Sequence, residues 1–137
     1  MKKPVFFLIL RVIVALILLQ TLFFKFTGAE ESVKLFSMLS EAVIGDDSLE
    51  ALMRIGSGVV ELVTAVLLLM KKPAAIAVGS LMAVGTMAGA IVTHLSVIGV
   101  DYGGGPVLFI MAVVTMVISL VLLFRFRGSL PMLGKFT

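Results

Sequence analysis

Arg54 and Glu61 stand seven residues apart in the run Arg54-Ile-Gly-Ser-Gly-Val-Val-Glu61, a spacing that sets both on nearly one stripe of a helix. The run leads straight into apolar residues 62–70, so a cation and a carboxylate are carried to membrane depth. Placing a charge at the bilayer centre costs roughly 2.5–3.5 kcal/mol on insertion scales, so such groups pair inside a bundle or line a polar site. Arg11 and Lys25 add two cations on the first apolar segment. With Leu18 between them at spacings of seven, they fall within about 40° of one another on a helix. Arg11, Lys25, Arg54 and Glu61 thus form a candidate intramembrane charged site. A second polar set, His94, Asp101 and Tyr102, follows the third apolar segment.

Each of these residues has a chemical reading and a plain one. Glu61 could take part in chemistry or serve as the structural partner of an arginine. Lys25, near a helix end, can snorkel to the headgroups. His94, with an unperturbed pKa near 6.5, suits a proton relay, but also an interfacial hydrogen bond. Tyr102 fits the usual membrane-interface anchor. Met82, Met87, Met111 and Met116 read as flexible core filler rather than metal ligands.

The elements that must position these groups follow from composition. Of 137 residues, 61% are hydrophobic and 14% charged, with mean hydropathy +1.24; a soluble domain has about 45–50% apolar and about 25% charged residues. The sequence predicts an all-α, polytopic membrane protein: a four-transmembrane-helix bundle with a short amphipathic interfacial helix between helices 1 and 2, one domain over the whole chain. The spans are placed at about residues 5–25, 48–70, 73–98 and 106–125, each near the roughly 20 residues a bilayer requires. The surface helix is placed at about 31–44, where Leu35, Phe36, Leu39, Ala42 and Val43 recur at helical spacing; it is either a packed connector or a lid over a site. The basic start Met1-Lys2-Lys3-Pro4 before an apolar run resembles a signal peptide. The length of that run and the interruption by Arg11 favour a retained first helix.

Local signals fix several boundaries. Gly28 stops the first helix; Asp47 as N-cap with Glu50 at N3 starts the second span; Pro73 opens the third. The third span is rich in small residues, with Ala75, Gly79 and Ala83, then Gly85, Gly89 and Thr93, each at spacing four. Such ladders let helices approach closely in lipid, so Gly58, Gly79, Gly85 and Gly89 are predicted close-packing positions and this helix is placed at the bundle centre. The loop Asp101-Tyr-Gly-Gly-Gly-Pro106 reads as flexible, and the uncharged fourth span as the one most exposed to lipid.

No cysteine is present, which excludes disulfide, thiol-relay and iron–sulfur roles for this chain itself. One histidine cannot supply both axial imidazoles of a haem, and no metal site is predicted. The net charge of +3 does not point to nucleic acid, because the basic residues flank helix ends and suit anionic headgroups. Lys2, Lys3, Lys71, Lys72, Arg125, Arg127 and Lys135 fall on one side, which places both termini in the cytoplasm by the positive-inside rule. With that topology, Arg11 and Glu61 come to similar depth and an ion pair between them is geometrically available. Lys25, Arg54, His94, Asp101 and Tyr102 gather toward the outer face, around a polar cavity floored by Glu61.

The order of these features resembles the DoxX family of small four-helix membrane proteins. The resemblance rests on Arg11 and Lys25 in the first helix, Gly58-Val-Val-Glu61 followed by Leu67-Leu-Leu69 in the second, and a small-residue third helix ending near His94. It covers about residues 5–127. Family members tend to carry a small residue before the lysine that ends helix 1, where this chain has Leu22-Phe-Phe24. The resemblance implies a bacterial inner-membrane protein associated with redox systems, since the family is named for a small subunit of a terminal quinol oxidase; distant animal relatives resemble assembly chaperones.

Three functions remain open at this point, and an enzymatic role is neither required nor excluded. The first is an accessory or quinone-interacting subunit of a membrane redox system, with no cofactor held by the chain alone and a quinone or lipid as bound molecule. The second is a structural or chaperone-like subunit working beside another membrane protein or a second copy. The third is a binding protein or transporter for a small anionic or lipidic molecule, drawn by surplus positive charge.

Overall fold

The computed structural model describes residues 3–102 and 105–131; Lys2, Gly103, Gly104 and Lys135, which entered the sequence reading, lie outside them. Five α-helices and no strand occur among the described residues: α1 (Lys3–Thr27), α2 (Glu30–Ile44), α3 (Glu50–Leu69), α4 (Pro73–Thr93) and α5 (Val107–Phe126). A π-helical turn, His94–Ile98, extends α4, and a 3-10 turn, Arg127–Ser129, ends α5. Helices α1, α3, α4 with its extension, and α5 are long and apolar enough to cross a membrane, and the protein is an integral membrane helical bundle.

A tight turn joins α3 to α4, whereas α1 and α3 are joined through α2, whose two ends are set by glycines. At the end of α1, Gly28 adopts φ 70°, and the amide of Ala29 donates to the carbonyl of Phe24 at 3.0 Å. This six-to-one closure satisfies a carbonyl that lipid could not. Gly45 ends α2 in the left-handed region, φ 86°.

The α2–α3 turn departs from the expected capping box. Leu49, without a side-chain cap bond, precedes α3, and Asp46 rather than Asp47 organises the turn, accepting the Ser48 amide at 2.9 Å. Bonds from the Ser48 side chain and backbone hold the Asp46 carboxyl below the usual carboxylate range. The buried hydroxyl of Ser40 completes the turn, donating to the Asp46 carbonyl and accepting from the Leu49 amide. Glu50 is then free to face Arg54 one turn later.

The spans close a ring in which α1 packs on α3, α3 on α4, α4 on α5, and α5 back on α1; α2 lies against α3 and the π-turn. The core is built from Val14, Leu18, Leu68, Ala83, Met87, Ala112 and Leu122. Helix α4 is one wall of this ring rather than its centre. It still has the largest buried share of the four spans, 33% of its apolar window, and α5 the smallest, 22%.

Only part of the small-residue pattern makes close contacts. A methyl at Gly58 would lie 2.6 Å from the Phe26 ring, and one at Gly79 would lie 3.0 Å from Leu67 Cβ and 3.2 Å from the Leu68 amide. Gly85 and Gly89 meet nothing within 4 Å of such a methyl and lie on the exposed face of α4. Spacing alone set them beside a neighbour, but the ring geometry turns their stripe outward.

Candidate functional site

Lys25 occupies the last turn of α1, and its ammonium lies 2.9 Å from Glu61 Oε1. The two side chains retain 14% and 7% of their surface, so this is a pair inside the bundle and not a lysine reaching for headgroups. Thr21, one turn earlier on α1, shares its one hydroxyl proton between the Leu18 carbonyl at 2.8 Å and the same carboxylate oxygen at 3.1 Å. Ser57, one turn before Glu61 on α3, accepts from the ammonium at 3.1 Å. Helix α2 closes the site from above: the buried Phe36 ring lies 5.5 Å from the ammonium, within cation–π range. Thus α2 meets the site through Phe36 while packing on α3 and the π-turn.

The close approach of α1 and α3 here follows from Gly58. With no side chain at that position, the Phe26 ring rests against the α3 backbone, and Lys25 is brought level with Ser57 and Glu61. The hydroxyls of Thr21 and Ser57 were missed in the sequence reading. Both could have been found as the residues one helical turn from Lys25 and Glu61 on the same faces.

Arg11 does not pair with Glu61. Its Nε donates to the Leu68 carbonyl at 2.7 Å and its Nη2 to the Met70 carbonyl at 2.8 Å, so it caps the carboxyl end of α3. Arg54 does the reciprocal service: it pairs with Glu50 and its Nη1 donates to the Lys25 carbonyl in the last turn of α1. The physical reason is shared. The last carbonyls of a helix have no internal partner, carry the negative end of the helix dipole, and find no water at membrane depth. Because α1 and α3 run antiparallel, an arginine in the first half of each is level with the exposed carbonyls of the other. Arg54 is thus divided between the Glu50 carboxylate and the end of α1, and Arg11 lies at the end of α3, so neither guanidinium converges on Glu61 as the sequence suggested.

The outer polar set does not converge. His94 is buried at the start of the π-turn. Its Nδ1 lies 3.0 Å from the Gly99 carbonyl, and its ring meets Phe109 edge-on at 5.6 Å. Tyr102 donates to the Glu31 carbonyl at 3.0 Å, tying the α4–α5 loop to α2. Burial and the nearby Glu31 charge push its phenol above the ordinary range. Asp101 is exposed and engages α2 through no hydrogen bond among the described residues. Glu61 is itself buried beneath the α1–α2 corner, so it does not floor an open outer cavity.

No protein-family model, no curated protein and no solved structure matches this chain. Among the described residues, no group of three or more histidine, cysteine or acidic side chains could hold a metal ion. The arrangement offers one neutralised lysine–glutamate pair, two helix-capping arginines and a histidine with one committed nitrogen.

Proposed function

We propose that this protein is a DoxX-like accessory subunit of a bacterial inner-membrane complex, with both termini cytoplasmic, whose buried charges hold four helices in register while a partner performs the chemistry. The resemblance implies a membrane redox system as the setting. One observation carries the reading. Lys25 and Glu61 neutralise each other inside the bundle, Arg54 is paired with Glu50 and bonded to the end of α1, and Arg11 is bonded to the end of α3, so these polar groups satisfy one another. A pair of this kind fixes register better than it stabilises, because desolvation offsets most of its attraction. The transporter reading loses the convergence of cations on Glu61, since Arg54 pairs with Glu50 and Arg11 is bonded at the end of α3.

The test uses the double variant Lys25→Met, Glu61→Leu in cells lacking the native chain. The proposal expects the folded double variant to restore both the amount of the partner redox complex and its quinol-dependent turnover per complex. A variant that inserts and folds, restores the amount, and yet leaves turnover per complex low would assign the pair to chemistry and overturn the reading.

A second reading has one observation in its favour. A carbonyl can only accept, so Nδ1 of His94 carries the proton in the contact with Gly99, and a neutral ring then has its lone pair on Nε2. A π-turn in a helix often marks a functional position. His94 beside Phe109 would in this reading accept a hydrogen bond from a quinol headgroup, with the redox chemistry belonging to the quinol and its partner enzyme. Quinone retained through purification by the native chain and lost in His94→Phe would support it.

A further inference from the structure

At the end of the bundle away from α2, α1 and α5 leave an open groove of about 500 Å³ lined by Phe7, Leu120, Val121, Phe124, Arg125 and Arg127. Its volume falls in the range of about 300–1,000 Å³ typical of small-molecule sites. The order of these residues along α5 is informative. Leu120, Val121 and Phe124 are exposed and apolar, and Arg125 and Arg127 follow in the last turn and just beyond it. At 1.5 Å per residue, the Cα atoms of Arg125 and Arg127 stand about 7.5 and 10.5 Å along the axis beyond that of Leu120, so the groove has a charged end and an apolar end.

Both arginines are held by ring faces. The Arg125 guanidinium lies 5.4 Å from the Phe7 centroid and 5.2 Å from that of Phe126; that of Arg127 lies 4.0 Å from Phe124. Contact with a ring face leaves the in-plane N–H donors of a guanidinium free. Arg127 spends one on the Phe124 carbonyl. Neither arginine has a carboxylate partner among the described residues, in contrast to Arg54 and Lys25 deeper in the bundle.

We propose that this groove is a binding site for an anionic phospholipid. The phosphate is held by the in-plane donors of Arg125 and Arg127, a bidentate geometry that suits guanidinium, and an acyl chain lies over Phe7, Leu120, Val121 and Phe124. Charge complementarity selects the occupant. A neutral lipid or an apolar partner helix would satisfy the groove's walls but leave two preorganised guanidiniums unused. The site is independent of the Lys25–Glu61 pair and of any redox role.

The experiment is native mass spectrometry of the full-length protein, with lipid-binding titrations of phosphatidylglycerol and phosphatidylcholine. The native chain is expected to retain phosphatidylglycerol preferentially. Arg125→Gln with Arg127→Gln should weaken that preference roughly tenfold or more. Lys71→Gln with Lys72→Gln removes the same charge outside the groove and should change it far less; Leu120→Trp should block retention by filling the groove. Excess inorganic phosphate should not displace the lipid; displacement would reduce the site to one for free phosphate. Equal retention of both lipids, or equal losses in the arginine and lysine variants, would overturn the proposal. So would a dimer or a bound partner protein whose formation Leu120→Trp abolishes while lipid retention is unchanged.

Discussion

Removing one member of the Lys25–Glu61 pair should cost far more than removing both. Two unit charges 2.9 Å apart attract by about 6 kcal/mol at an effective dielectric of about 20. Taking each from water costs several kcal/mol, so the net contribution of the pair is near zero. In Lys25→Met the carboxylate keeps only the Thr21 hydroxyl; in Glu61→Leu the ammonium keeps only Ser57 and the Phe36 face. Each single variant is expected to lose about 3–5 kcal/mol, a fall in melting temperature of roughly 10 °C or more for a chain of this size. The double variant should return to within about 1 kcal/mol of the native protein, because its apolar side chains occupy the space without a stranded charge. Thermal unfolding followed by helical circular dichroism, in one detergent for all four proteins, gives the complete cycle. Two near-neutral single variants, or a double variant as unstable as the sum of the singles, would refute the account of a buried, mutually dependent pair.

Other consequences are equally direct. Arg11→Met should destabilise by about 2–4 kcal/mol through two lost charge-assisted bonds to the end of α3, and in a cycle with Glu61→Leu the effects should add; strong coupling would restore the Arg11–Glu61 pair. Gly58→Ala should cost about 1–3 kcal/mol by overpacking against Phe26 and be relieved by Phe26→Leu, while Gly89→Ala, in open space, should be neutral or gain up to about 1 kcal/mol; the same melts decide both. Tyr102 is the single tyrosine and there is no tryptophan, so tyrosinate absorbance reports it alone. Its phenol titrates above the ordinary range when folded. Its contribution to stability is therefore fully present below about pH 10 and lost as pH rises through the higher folded value, a loss that Tyr102→Phe should remove. An unshifted titration would contradict the contact with α2.

The membrane class, the four spans, the interfacial helix and most of their limits were legible in the sequence, because lipid imposes length and hydropathy on each segment separately. Gly28 and Pro73 announced their positions by backbone constraints that need no neighbour. The partners of the charges were not legible. Stripe and depth made Arg11 and Glu61 look like natural partners, yet the decision lay with the unpaired carbonyls of Leu68 and Met70, which no side-chain pattern encodes. Lys25 looked like a snorkelling residue until α2 folded Phe36 over it. The ladder at Gly85 and Gly89 has the same spacing as that at Gly79, and only the order of helices around the ring turns one inward and the other out. Segment identity is a local property of the chain; which polar groups meet depends on how antiparallel helices align their ends, and that alignment exists only in the folded protein.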